Sequence, residues 1–240
     1  VTIHISIWAL LTLWAALLFG GALFGRWNAD ETHRIPTWAR MASSFVLVAL
    51  AWDIHVLYGG PIAPYSLLIA LGMTLGFLGD LFMARLIPVQ QHVLGGMGAF
   101  ALGHVAYVAA IFGFGDRLGI NDTAVRLGAW AALLLIGAVA WLFVVRRGGD
   151  WSPLHIAALP YALLLASTAG FALGMALQDG HFIPLAIGAA LFLGSDLILA
   201  DQIFNGTKFR GIGDAIWLTY GPAQMLIVMS VVTAASLAAS

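Results

Sequence analysis

Apolar residues fall into eight long runs along the 240-residue chain, at about 3–25, 41–58, 62–84, 93–115, 127–145, 154–177, 183–200 and 214–238. Short polar stretches between them hold most of the charge. A helix needs about 20 apolar residues to cross a hydrocarbon core of roughly 30 Å, and only helices or closed barrels satisfy every backbone group there. Each run is of helical length, far longer than the tilted strand of a membrane barrel. The pattern predicts an all-α fold: a polytopic bundle of eight transmembrane helices forming a single domain over 1–240. The first run has no basic segment ahead of it and is longer than a signal-peptide core, so it reads as a retained helix.

Composition sharpens this picture. Hydrophobic residues make up 62% and charged residues 9% of the chain, with a mean hydropathy of +0.98, which excludes a soluble globular domain. The net charge of -1 gives no reason to expect a nucleic-acid partner. Absence of cysteine excludes disulfides, thiol catalysis and thiolate metal sites. Basic residues are unevenly placed. Arg26, Arg34, Arg40, Arg85, Arg146, Arg147, Lys208 and Arg210 follow runs 1, 3, 5 and 7, against Arg117 and Arg126 on the other side. By the positive-inside rule those four loops are cytoplasmic, which in a bacterial inner membrane places both termini outside.

Two runs contain a carboxylate where lipid disfavours one. Asp80 lies in Gly79-Asp80-Leu81 of run 3 and Asp196 in Gly194-Ser195-Asp196-Leu197 of run 7. An Asp at a helix centre costs roughly 2.5–3.5 kcal/mol on insertion scales, so such a residue is a functional candidate. An offset of 116 carries Asp80 to Asp196, Leu81 to Leu197, Ala84 to Ala200, Ala99 to Ala215, Leu102 to Leu218, His104 to Tyr220 and Ala106 to Pro222. Four helices separate the copies, so the expectation is a parallel 4+4 internal duplication, with halves at about 1–115 and 116–240. Runs 1 and 2 show no comparable match to runs 5 and 6. On the run boundaries both aspartates stand four residues before the cytoplasmic end, about 6 Å deep, with His104 and Tyr220 roughly 14–16 Å deep. Gly72, Gly76, Gly79, Gly188, Ala189, Ala190 and Gly194 are read as small residues for close helix packing.

Two neighbouring carboxylates in a low-dielectric site cannot both ionise cheaply and divide into an acid and a base. That suits acid/base hydrolysis without a metal. Asp53 and His55 lie farther from the cytoplasmic boundary and, two residues apart, face different ways, so they read as an outer polar contact. His55, His104 and His155 lie in or near runs without HExxH or other paired-ligand spacing, which leaves a zinc hydrolase as the less favoured alternative. No metal and no cofactor is expected. Tyr107, Tyr161 and Tyr220 lie within runs, and Gln224 follows Tyr220 by one turn on the same face. Such groups hold a water or headgroup, or simply join helices. Ser195 lacks the elbow of a serine nucleophile. Arg40 and Arg85 are placed either to meet phosphate or to anchor the chain at the interface.

Gly79-Asp80-Leu81, Gly98-Ala99-Phe100 with His104 and Tyr107, Phe192 with Ser195-Asp196, and Tyr220 with Gln224 together resemble the YhhN family of eight-helix membrane proteins, the lysoplasmalogenases. Tyr161 resembles a family tyrosine in the sixth helix. The chain departs from the family pattern at Arg34-Ile35-Pro36 and Arg40, where a Lys-Pro element is usual, at Gly76 in place of a serine, and at Gly221-Pro222. The resemblance implies hydrolysis of the vinyl ether of lysoplasmalogens to a fatty aldehyde and a glycerophospho-headgroup. It implies Asp80 and Asp196 as the catalytic pair and His104, Tyr107, Tyr161, Ser195, Tyr220, Gln224 and Arg40 as supporting residues. The expected partners are a lysophospholipid substrate and membrane lipid. A proton-coupled transporter using the same aspartates is the alternative, followed by a non-catalytic lipid-binding scaffold.

Overall fold

The computed structural model describes residues 3–148 and 152–238, and among these it contains only helices and connecting loops. The helices are α1 (Ile5–Phe24), α2 (Thr37–Tyr58), α3 (Ala63–Met83), α4 (His92–Leu118), α5 (Thr123–Ala140), α6 (Pro153–Gln178), α7 (Ile183–Asn205) and α8 (Ile212–Ala238). A π-helical turn, Trp141–Val145, prolongs α5. All eight helices are long and apolar enough to cross a membrane, so the protein is a multi-pass integral membrane protein.

Local chemistry sets the helix ends. Proline occupies the first turn of α3, α6 and α7, where its missing N–H has no intrahelical role. The Asp122 side chain caps α5 by accepting from Val125 N. Gly119 and Gly206 end α4 and α7 with φ of 70° and 67°, conformations that favour glycine. The sequence places the end of run 7 at 200, but α7 continues to Asn205. Hydropathy marks the hydrocarbon region, whereas the helix runs past it on a polar turn in which Asn205 Nδ2 donates to Asp201 Oδ1 (2.6 Å) and to Val144 O (2.9 Å).

Consecutive helices pack as pairs, α1 with α2, α3 with α4, α5 with α6 and α7 with α8. The pairs are joined through α2 with α3, α4 with α6, α6 with α7 and α2 with α8. Close approach of α3 and α4 depends on glycine: a Cβ on Gly72 would stand 2.3 Å from Tyr107 Cε1, and one on Gly79 would stand 2.7 Å from Phe100 Cε2. Gly188 has the same role between α7 and α8, where a Cβ would meet Leu226 Cβ at 2.8 Å. Gly194 differs, since nothing lies within 4 Å of its Cβ position, so packing does not account for it.

Helix boundaries correct the depth expectation. The 3₁₀ turns Gly60–Ile62 and Gly180–Phe182, the starts of α3 and α7, and both ends of α4 and α8 recur at a spacing of 120, not 116. Asp80 stands 17 positions after the first residue of α3, and Asp196 stands 13 after that of α7. The two carboxylates are therefore offset by one turn along their helices, about 6 Å in axial rise, and Asp196 lies nine residues before the end of its helix where Asp80 lies three.

Candidate active site

The last turn of α3 carries Asp80 into the junction of α2, α3 and α8, where it is buried. Its Oδ2 accepts from Ser44 Oγ at 2.5 Å and from Tyr220 OH at 3.0 Å. Tyr220 is itself held: Gln224 Nε2 donates to its hydroxyl oxygen (3.2 Å), and Tyr107 OH donates to Gln224 Oε1 (2.7 Å). The three donors point one way, from Tyr107 through Gln224 and Tyr220 to the Asp80 carboxyl, and each bond polarises the next. Gly76 makes room for this chain, since a Cβ there would meet Gln224 Nε2 at 2.7 Å. The expectation that Tyr220 lies well below Asp80 is corrected by this contact. Helical rise locates backbones, while the phenol reaches along the bundle.

Asp196 is half-buried on α7. Its Oδ2 accepts from Tyr161 OH on α6, and its Oδ1 has a long contact with Ser195 Oγ at 3.4 Å. The Ser195 hydroxyl is bound better to Phe192 O, at 2.8 Å. His104 touches neither aspartate. Its Nδ1 pairs with Thr168 Oγ1 (3.0 Å), its Nε2 is buried without a partner, and its ring packs on Phe192 at 4.6 Å and edge-on to Tyr161 at 6.1 Å. It supports the wall behind Tyr161. Asp53 and His55 take separate partners near the opposite end of α2, Ser6 Oγ at 2.6 Å and Ser66 Oγ at 2.8 Å.

Both aspartates line one cavity of about 750 Å³, whose walls are Asp80, Asp196, Tyr220, Phe100, Trp217 and Arg40. Its mouth is formed by the residues after α1 and α3, two of the four positively charged loops, and by the facing turns of α7 and α8 at Gln202, Ile203 and Gly213. Arg40 Nη2 donates to Thr37 Oγ1 (3.0 Å), and its guanidinium lies 5.8 Å from the Trp217 ring centroid. The α1–α2 loop forms a strap over one side of the mouth. Asp214, in the first turn of α8, pins it by accepting from Arg34 N (2.7 Å) and Ile35 N (3.0 Å). On the strap, burial and then the Arg40 charge hold the His33 imidazole below its ordinary pKa, so it is neutral at physiological pH.

An apolar crevice between α4, α5, α6 and α7 meets this cavity at Asp196, Phe100, Met83 and Val93. Met97, Val144, Ala158, Tyr161 and Leu193 continue it away from the polar basin. The site is thus a polar basin lined by both carboxylates and a greasy slot that opens from it beside Asp196. Among the described residues no three His, Asp, Glu or Cys side chains group as metal ligands.

Sequence reasoning missed Ser44, Thr168, His92 and Asp214. Ser44 had a usable signal, standing one helical turn after Arg40 on the same face. Asp214 had a weaker one, as an acid in a helix first turn.

No curated relative and no solved structure matches the chain. The sequence model of the YhhN family matches residues 36–231, which takes in α2 to α7, most of α8 and both aspartates with their hydrogen-bond partners. The chain belongs to the YhhN family.

Proposed function

We propose that this protein hydrolyses the vinyl ether bond of lysoplasmalogens or related ether lysolipids, using Asp80 and Asp196 as an acid/base pair. The observation that carries this reading is that two carboxylates from different helices line one polar basin, with Asp196 at the point where that basin meets an apolar crevice. A single-chain lipid has the same layout: headgroup, reactive bond, hydrocarbon chain. Its headgroup suits the basin at the charged face, taken as cytoplasmic with both termini opposite, and its chain suits the slot along Met97, Ala158 and Leu193. In a bacterium the setting is the inner membrane.

The chemistry follows from the bond. One aspartate, neutral, delivers its proton to the vinyl carbon β to oxygen, and the adjacent C–O unit becomes an oxocarbenium ion. The other, ionised, stabilises that cation and removes a proton from the water that adds to it. The hemiacetal then collapses. Its hydroxyl proton leaves as the carbonyl forms, the glycerol oxygen takes up a proton as its bond to carbon breaks, and aldehyde plus glycerophospho-headgroup are released with one water consumed. Ser44 and Tyr220 orient one carboxyl and Tyr161 the other.

The reading is tested by incubating purified protein with alkenyl, alkyl and acyl lysophospholipids of one chain length. Aldehyde from the alkenyl substrate alone is expected; no aldehyde from any of them, or uncoupler-sensitive flux of intact lipid in proteoliposomes, contradicts it. Tyr161→Phe is expected to lower turnover about 10-fold, since the carboxyl loses its orienting donor. Interhelical hydrogen bonds in bilayers average about 0.6 kcal/mol, so thermal stability should hardly change. A turnover equal to wild type would remove Tyr161 from the mechanism.

A further inference from the structure

The charged residues lining the cavity are Asp30, Arg40, Asp80, Arg85 and Asp196, with His33 and His92 beside them. The two arginines stand out because neither is in a salt bridge. Among the described residues neither guanidinium has a carboxylate oxygen within 4 Å. Of the two carboxylates whose charge acts on Arg40, Asp214 accepts from the backbone N–H groups of Arg34 and Ile35, and Asp80 accepts from Ser44 and Tyr220. Arg40 Nε is buried with no acceptor.

Arg85 is held in place at some cost. Its φ is +58°, a left-handed conformation that a residue with a Cβ adopts rarely. Arg85 N donates to Phe82 O (2.9 Å), which closes the end of α3 and turns the chain sharply toward α4. Its Nε then donates to His92 Nε2 at 3.2 Å. His92 is the acceptor in this bond. Local strain of this kind persists where the surroundings fix the position. Here the turn and His92 both fix Arg85 at the cavity mouth.

We infer that Arg40 and Arg85, the latter braced by His92, form a clamp for the phosphate group of the lipid headgroup at the mouth of the cavity. Two guanidiniums outside any salt bridge, one on α2 and one on the turn after α3, offer planar sets of donors matched to phosphate oxygens. Neutral His33 leaves the positive charge concentrated on these two residues. The clamp rests on the proposed hydrolase reading for its lipid. It adds a requirement that reading does not make: the phosphate must be held by Arg40 and Arg85.

Binding in a nonionic detergent separates the two claims, because it needs no turnover. The probes are a 1-O-alkyl lysophosphocholine, which has no vinyl ether to cleave, the corresponding 1-O-alkylglycerol, which lacks phosphate, and inorganic phosphate as competitor. Arg40→Gln and Arg85→Gln are each expected to raise Kd for the lysophosphocholine about 10-fold and to leave Kd for the alkylglycerol unchanged. Arg85→Lys is expected to recover part of the loss, since it keeps charge but not the fork. Unchanged alkylglycerol binding also reports that the variants are folded. Equal weakening toward both lipids, or toward neither, overturns the clamp. Inorganic phosphate binding more tightly than the lipid overturns the headgroup assignment in favour of a soluble phosphate. If wild type binds the lysophosphocholine but releases no aldehyde from its alkenyl counterpart, the hydrolase reading falls and the clamp stands.

Discussion

Asp80→Asn and Asp196→Asn are each expected to lower aldehyde release from an alkenyl lysophospholipid by roughly 10²–10⁴-fold, the range of general acid/base catalysis. Asparagine keeps the size and one acceptor oxygen of the carboxyl, so Ser44 and Tyr220 retain a partner at position 80, as Tyr161 does at position 196. What is lost is the ability to give or take a proton. Folded yield and thermal stability should remain close to wild type, which separates this outcome from a folding defect. If the two groups act as one unit, as proposed, the double variant is expected to be little worse than either single one. Losses that multiply would mean that the aspartates serve separate steps. Retained activity in either single variant would remove that residue from the acid/base pair.

The second large effect concerns packing. Gly72→Ala puts a methyl group 2.3 Å from a ring carbon of Tyr107, a residue that is 1% exposed and has little space to move into. Overpacking of this kind costs about 1–3 kcal/mol, which in a chain of this size corresponds to a fall in Tm of roughly 2–10 °C. Activity should fall further than stability alone requires. Tyr107 begins the donor chain through Gln224 and Tyr220 to Asp80, and pushing its ring aside breaks the first link. Ala at the exposed Gly98, where nothing lies within 4 Å of the Cβ position, is the matched control and is expected to change neither. Melting in detergent together with turnover of the surviving fraction checks both statements; a Gly72→Ala protein as stable and active as wild type would contradict the packing account.

How much of this was legible in the sequence differs from element to element. The eight spans were, because apolar length alone decides what crosses a membrane. Their ends were less so, as α7 shows by running on to Asn205 along a polar turn that hydropathy scores as loop. Asp80 and Asp196 were legible as residues in the wrong solvent. Their partners were legible only where they were themselves polar and buried in a run, as with Tyr161, Tyr220 and Gln224. Ser44 was not, since a serine is tolerated inside a helix for many reasons and only the fold brings it to Asp80. The offset of 116 matched residue types around the aspartates, but helix boundaries recur at 120, so equal depth did not follow from equal surroundings. His104 illustrates the converse. Its place among site-like residues suggested the cavity, while the fold turns it toward Thr168 and behind Tyr161.

The central claim is that a carboxylic acid protonates the vinyl carbon while water adds to its neighbour, and isotopes test it most directly. Alkenyl lysophospholipid is turned over in D₂O by wild-type protein, and the aldehyde is reduced at once to trap its label. The account predicts one deuterium on the carbon next to the former aldehyde carbon, at a rate that Asp80→Asn and Asp196→Asn suppress together with product. Aldehyde lacking that deuterium, or deuterated aldehyde formed equally fast by the asparagine variants, would contradict it.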